Sequence, residues 1–167
     1  NIIYVGAPAG GLWKSVDGGT TWNCLTDFLP AIGCSDVAID PNNTNIIYLA
    51  SGDNDAGDSP SIGVLKSTDG GLTWNPTGLT FGANSFRRIG RLLIDPANSD
   101  ILYAATSYGI GKTWDAGANW YRVSTSRTKD MEFKPGDPNT IYACNTGLYK
   151  TTNGGATWHK VTSGLPL

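Results

Sequence analysis

The sequence predicts an all-β fold built from consecutive four-stranded antiparallel units. Three observations carry that prediction. The 167 residues combine 22 Gly and 9 Pro with 6 Trp, 7 Tyr and 4 Phe, a mixture of turn formers and strand formers. No window shows the 3.6-residue apolar period of an amphipathic helix. Most telling, one eight-residue box occurs four times, as Ser15–Trp22, Ser67–Trp74, Thr113–Trp120 and Thr151–Trp158.

The third position of each box is Asp17, Asp69, Asp115 and Asn153, spaced by 52, 46 and 38 residues. Repeats of roughly 40–50 residues with several short strands each are the signature of β-propeller blades. Each unit has the same internal order. An Asp-Val-Ala-Ile-type strand comes first: Asp36–Ile39, Arg91–Ile94 and Asp130–Phe133. A turn rich in Asp, Pro and Asn follows, where Pro presets φ and Asx side chains cap the bend. The second strand is of Ile-Tyr type: Ile2–Val5, Ile46–Leu49, Ile101–Ala104 and Ile141–Cys144. The third ends at the box, and the fourth is expected to start at the box Trp. The units are expected at 1–28, 35–79, 87–125 and 128–162. The first lacks its Val-Ala-Ile strand, so the sequence reads as an incomplete arc of a larger propeller. The absence of an initiator Met at Asn1 fits a processed chain or a piece of a longer one.

The box residues have a physical logic. Glycines permit positive φ in the hairpin. The Asp carboxylate can accept backbone N–H groups within its own turn, as an Asx cap. Trp22, Trp74, Trp120 and Trp158 pack their rings against the unit. Asn153 keeps the acceptor oxygen without the charge, which favours a structural role for all four positions over a catalytic one.

These boxes resemble the Asp-box, or bacterial-neuraminidase, repeat, which occurs in sialidases, xyloglucanase-type glycosidases and sortilin-like receptors. The stretches Gly52–Asp58, Arg87–Pro96 and Met131–Asn139 resemble large exported proteins of Bacteroidota that use type IX secretion. The resemblance implies a secreted or cell-surface propeller. It also allows tests for activity. Xyloglucanase-type enzymes carry a catalytic Asp in a Thr-Asp-x-Gly-Gly segment after an early second strand. The matching segment here is Ala7–Gly11, with Pro8 in place of that Asp. Sialidases need dispersed arginines and an Arg-Ile-Pro motif, whereas Arg87, Arg88 and Arg91 are clustered and the triplet is absent. The expected function is therefore a non-catalytic binding, adhesion or scaffold segment. The alternative is part of a glycoside hydrolase whose catalytic residues lie elsewhere.

Candidate sites follow from the loops that cluster at one end of a propeller. Asp53, Asn54, Asp55 and Asp58 place oxygen donors in one loop, as calcium prefers, or simply form a solvated polar loop. No other cofactor is implied. Arg87, Arg88 and Arg91 could hold an anion or pair with nearby acids. Arg87 and Arg91 are expected on one strand face. Trp114, in a box position otherwise small, could stack on a glycan or stand exposed without a ligand. His159, the only histidine, reads as a surface residue of a fourth strand. Cys24 and Cys34 could form a disulfide in an oxidising compartment, or all three cysteines, Cys144 included, could be small thiols.

Composition excludes other classes. With 12 Lys+Arg against 14 Asp+Glu, the net charge of −2 argues against a nucleic-acid partner. No run approaches the roughly 20 apolar residues of a membrane helix. The expected partners are the rest of a larger parent chain, or another protein at the open strand edge of the first unit, and a glycan.

Overall fold

The computed structural model describes residues 1–55 and 59–164. Among them are fifteen strands and one 3-10 turn, Ala83–Ser85. The strands form four antiparallel meanders. The first sheet contains β1 (Ile3–Ala7), β2 (Gly11–Ser15) and β3 (Asn23–Cys24). The second contains β4 (Cys34–Ile39), β5 (Ile47–Ser51), β6 (Gly63–Ser67) and β7 (Asn75–Thr80). The third contains β8 (Ile89–Asp95), β9 (Asn98–Thr106), β10 (Gly109–Thr113) and β11 (Tyr121–Ser124). The fourth contains β12 (Asp130–Lys134), β13 (Asp137–Cys144), β14 (Leu148–Thr151) and β15 (His159–Lys160).

A single sheet cannot bury both of its faces, so the sheets pack face to face in chain order. Three apolar cores lie between successive pairs. Leu12, Leu25, Leu49 and Leu65 join sheets one and two. Tyr48, Val64, Ile89, Leu92 and Leu102 join sheets two and three. Tyr103, Ile110, Met131, Ile141 and Ala143 join sheets three and four. Each fully buried aliphatic side chain contributes roughly 1.5–3 kcal/mol relative to exposure. The second strand of each sheet records its position in the stack. In β5 every residue is buried, and in β9 so is every residue from Leu102 to Thr106, because a sheet covers each face. In β1, Ile3 and Val5 are exposed, while in β13 Tyr142 and Cys144 are exposed and Ile141 and Ala143 are buried.

The boxes join the third strand to the fourth in every sheet, but each fourth strand begins one residue after the Trp, at Asn23, Asn75, Tyr121 and His159. The expectation that strand four starts at the Trp is corrected accordingly. In two of the boxes the indole holds the Trp in the turn: Nε1 of Trp22 donates to Gly19 O at 3.0 Å, and that of Trp120 to Gly117 O at 3.1 Å. The fourth box position requires a left-handed backbone. Gly18, Gly70 and Gly154 have φ of 77°, 72° and 63°, and Ala116 takes the same place at 54°.

A second repeated device locks sheet to sheet. A Tyr on the second strand lies directly across the ladder from a Lys on the third: Tyr4 and Lys14, Tyr48 and Lys66, Tyr103 and Lys112, Tyr142 and Lys150. In the first three pairs both side chains donate to one box carbonyl of the next sheet. Tyr4 Oη and Lys14 Nζ reach Gly70 O at 3.1 and 2.9 Å. Tyr48 and Lys66 reach Ala116 O at 3.0 and 3.3 Å. Tyr103 and Lys112 reach Gly154 O at 2.9 and 2.6 Å. The N–H of the same box residue donates within its own sheet, to Asn45 O, Asp100 O and Asn139 O at 2.9 Å each. Each box is therefore held from both sides.

Candidate functional site

In a meander, the hairpins between strands two and three and the connections between sheets emerge on one face. Backbone bonds tie those loops together: Gly52 N to Gly33 O at 2.8 Å, Ser107 N to Arg88 O at 3.0 Å, and Lys129 N to Cys144 O at 2.8 Å. Pro8 lies on this face in an exposed turn closed by Gly10 N donating to Ala7 O at 3.2 Å. Asp53 is buried and accepts the Asp55 N–H at 2.7 Å, while its own N–H donates to Ser59 O at 3.0 Å. Asp55 is exposed, and Asp58 lies outside the described residues. No three His, Cys, Asp or Glu side chains among the described residues converge as a metal would require.

The arginines separate. Arg87 precedes β8, after Phe86, whose φ is 53°. Its guanidinium stacks 4.6 Å from the Tyr108 ring centroid and 5.7 Å from that of Phe81. The Arg88 backbone N–H donates to Ser107 Oγ at 3.1 Å. Arg91 lies within β8, beyond a register shift between Ile89 and Arg91. The expected shared face of Arg87 and Arg91 is therefore wrong, because the strand starts later and the bulge breaks the alternation. Of the two readings for the arginines, Arg91 follows the one that pairs it with nearby acids. They are Asp36 of β4 at 3.6 Å, Asp130 of β12 at 3.8 Å, and Glu132 of β12.

This cluster joins the first strands of sheets two, three and four. Asp36 Oδ2 accepts the Leu92 N–H at 2.6 Å, and Ser35 Oγ donates to Ile89 O at 2.7 Å. Burial pushes the Asp36 carboxyl above the usual range, against the opposing pull of the Leu92 N–H and the Arg91 charge. Arg91 Nε is buried and has no hydrogen-bond partner among the described residues. The arrangement neutralises acids from two flanking sheets on one guanidinium.

On the opposite face, each box residue at position three caps its own turn. Asp17 Oδ1 accepts the N–H groups of Thr20 and Thr21 at 3.0 and 2.9 Å, and Oδ2 accepts the Thr21 hydroxyl at 2.7 Å. Asp69 accepts from Thr73 N at 2.9 Å and Thr73 Oγ1 at 2.6 Å. Asp115 accepts from Asn119 N and Nδ2, both at 2.8 Å. These bonds hold all three carboxyls at a pKa of about 2, with Thr21, Thr73 and Asn119 the main donors. Asn153 Oδ1 accepts Thr157 N at 2.9 Å, and its Nδ2 donates to Thr157 Oγ1 at the same distance, so the polarity of the side-chain bond is reversed. Trp74 Nε1 reaches the preceding sheet at Leu25 O, 3.2 Å away, whereas the buried Trp158 Nε1 has no partner among the described residues. Trp114 is 49% exposed, with the Tyr121 ring 5.6 Å away and Lys112 Nζ 4.9 Å from its own centroid. His159 is exposed on β15, beside an open groove of about 600 Å³ that Arg122, Tyr149 and Trp158 also line.

Of the two readings left open for Cys24 and Cys34, the structure has the unbridged one, with Cys24, Cys34 and Cys144 as free cysteines. The two side chains engage different neighbours. Cys24 Sγ lies 3.8 Å from Thr26 Oγ1, and Cys34 Sγ donates to Asp36 O at 3.5 Å. Burial, reinforced by the Asp36 charge, pushes the Cys34 thiol up to about 12.

Two sets of residues escaped the sequence reading although their signal was present. One is the Tyr–Lys pairs: a Lys directly precedes every box, and a Tyr lies in every second strand. The other is the first box position. Ser15, Ser67, Thr113 and Thr151 are each fully buried and accept the N–H of the glycine at the fifth box position, at 2.7 Å for Gly19, 2.8 Å for Gly71, 3.1 Å for Gly117 and 3.0 Å for Gly155.

No family model matches the chain. Among curated proteins it is 34% identical over 137 residues to the xyloglucanase Xgh74A of Acetivibrio thermocellus, a match covering 75% of this chain and 16% of that protein. The GH74 enzyme of Niastella koreensis superimposes with a TM-score of 0.76 at 26% identity, covering 97% of this chain and 28% of that one. The GH74 xyloglucanase of Xanthomonas campestris gives a TM-score of 0.78 at 22% identity, covering 99% and 29%. These likenesses identify the four sheets as β-propeller blades.

Proposed function

We propose that this chain is an arc of a xyloglucan-acting glycoside hydrolase propeller, and that it supplies scaffold and rim rather than the catalytic pair. The 34% identity to a xyloglucanase over 137 residues carries the reading. It moves the assignment from an independent binding or adhesion protein toward the glycoside-hydrolase alternative. The boxes then act as Asp-box turns that brace the blades. The substrate is a cell-wall polysaccharide, which places the protein outside the cell, with type IX export as the route that the Bacteroidota resemblance suggests.

Chemistry supports the non-catalytic part. Retaining and inverting glycosidases need two carboxyl groups facing one another across the scissile bond, one of them free to deliver a proton. Asp36, Asp130 and Glu132 all engage the Arg91 guanidinium, and Asp36 also accepts a backbone N–H. Pro8 occupies the place of the xyloglucanase-type Asp in its exposed turn. The box carboxylates are saturated by their own turns. The exposed β1 edge is where further chain of the same ring would pair.

The test is affinity electrophoresis of the purified chain in xyloglucan, with a reducing-end assay in parallel. Retention without release of reducing ends is expected. Turnover of xyloglucan would refute the scaffold role. Cleavage of a sialoside with no retention by xyloglucan would refute the substrate class.

A further inference from the structure

The outer rims of the blade junctions are tied in two cases and open in the third. Between blades one and two, Trp74 Nε1 crosses to Leu25 O at 3.2 Å. Between blades two and three, Gly78 N donates to Gly117 O at 2.8 Å, and β7 comes so near that a Cβ at Gly78 would overlap Ala118 O. Between blades three and four, neither bond has a counterpart among the described residues. Ser124 stands where β7 has Gly78, and Trp158 Nε1, the equivalent of Trp74 Nε1, is without a partner. The groove left there measures about 600 Å³, against about 220 Å³ for the one between β7 and box three. Both blades that form it have all four strands.

Two departures particular to blade three put aromatic rings beside this groove. Position two of the box is Val16, Thr68 and Thr152 in the other blades but Trp114 here, and the residue after the box Trp, Asn in blades one and two, is Tyr121. Tyr121 lies across the ladder from Lys112, so the two share a face of blade three. Lys112 Nζ reaches Gly154 O of box four, so that face is turned to blade four. The Trp114 ring stands 5.6 Å from that of Tyr121 and 4.9 Å from Lys112 Nζ, and the two aromatic residues are 49% and 58% exposed. Within the groove itself, Tyr149 and Trp158 supply further ring surface, and Arg122, Ser124, Thr125 and His159 supply polar groups. Arg122 and His159 are exposed and make no ion pair or side-chain hydrogen bond among the described residues. No Asp or Glu is among the described lining residues.

We propose that the rim groove between blades three and four is a binding subsite for a neutral β-linked glucan chain, with Trp114 and Tyr121 as its stacking platform and Arg122 and His159 as partners for sugar hydroxyls. Its volume lies within the range of ligand sites, and exposed rings beside uncommitted polar groups are the chemistry that holds a sugar by its C–H face and its hydroxyls together. One Arg and no acid suit an uncharged chain better than a run of charges. The missing carboxyl pair makes this a place that binds and does not cleave. The choice of a glucan rests on the xyloglucan reading above, whereas the groove and its aromatic platform do not.

Affinity electrophoresis of the whole chain in xyloglucan, mixed-linkage β-glucan and polygalacturonate tests it, with urea midpoints read in parallel to show that each variant is folded. Trp114→Thr with Tyr121→Asn installs the residues that blade two carries at those places, Thr68 and Asn75. Arg122→Ala removes the guanidinium. Phe86→Ala removes an aromatic side chain that is 88% exposed in the segment before β8. The unaltered chain should be retained by a neutral glucan and pass polygalacturonate freely. The double variant should weaken retention on the order of tenfold, as loss of aromatic anchors does, Arg122→Ala should weaken it less, and Phe86→Ala should leave it unchanged. Retention by xyloglucan that the double variant leaves intact would overturn the groove and spare the proposed function. Retention by mixed-linkage glucan alone, lost in the double variant, would uphold the groove and count against xyloglucan as its ligand. Retention by polygalacturonate alone, or by none of the three, would overturn the inference.

Discussion

Removing the lock between blades three and four should reveal how strongly each box is held by its neighbour. Tyr103 is buried, and its hydroxyl donates to Gly154 O at 2.9 Å while Lys112 Nζ donates to the same oxygen at 2.6 Å. Tyr103→Phe keeps the ring, its edge contact with Phe133 and the Lys112 bond, so it should cost about 1 kcal/mol, the net worth of one hydrogen bond. Lys112→Met removes a charge-assisted bond and the cation over the Tyr103 and Trp114 rings, at 4.8 and 4.9 Å. It also relieves the burial that pushes the Lys112 pKa down, so the net loss should be about 1.5 kcal/mol. The double variant leaves the Gly154 carbonyl without either donor. It should therefore exceed the sum of the single losses by about 1 kcal/mol, the usual coupling of groups that share a partner. Urea unfolding followed by Trp fluorescence, at concentrations where the chain is monomeric, completes the cycle. Tyr142→Phe is the internal control and should change stability by less than about 0.5 kcal/mol, since its hydroxyl meets no box carbonyl. The lock would be refuted as a source of stability if Tyr103→Phe matched that control and the double variant were additive.

Three further outcomes follow from the boxes. Ala116→Gly should be neutral to stabilising by up to about 1 kcal/mol, because relief of the left-handed backbone outweighs the entropy of glycine, whereas Gly70→Ala should destabilise; paired urea midpoints decide it. Asp69→Asn should leave the midpoint at neutral pH nearly unchanged, since Asn153 already makes the equivalent backbone bond, and Asp69→Ala should lower it. Stability should fall as pH drops from about 4 toward 2: Asp17, Asp69 and Asp115 have folded pKa values of about 2 against an ordinary 3.8, so their contribution is complete above the unfolded value and lost as pH falls through the folded one. Asp36, raised by burial, works in the opposite sense, and a triple Asp→Asn variant of the boxes should flatten the acid limb of the titration.

Much of the blade was legible in the sequence because its signals are local. The box needs an acceptor four residues before the backbone N–H it binds, left-handed positions in between and a Trp at the end, all within eight residues. Four copies in one register therefore announced the hairpins and their spacing. The misreadings were also local in origin. The fourth strand was expected to start at the box Trp, yet in every box the Trp closes the turn, and in Trp22 and Trp120 its indole N–H bonds a turn carbonyl.

The rest depended on contacts between blades, which sequence separation conceals. Arg91 meets acids 55 residues before it and about 40 after it, and a bulge in β8 turns it away from Arg87. Cys24 and Cys34 are ten residues apart, yet each settles against its own polar neighbour. Lys14 and Gly70 are distant in the chain and meet only because one blade lies flat on the next. A sequence repeat specifies each blade by short-range turns and strand patterning. How one blade grips another is decided by side chains that reach across the stack, and only the packed structure brings donor and carbonyl together.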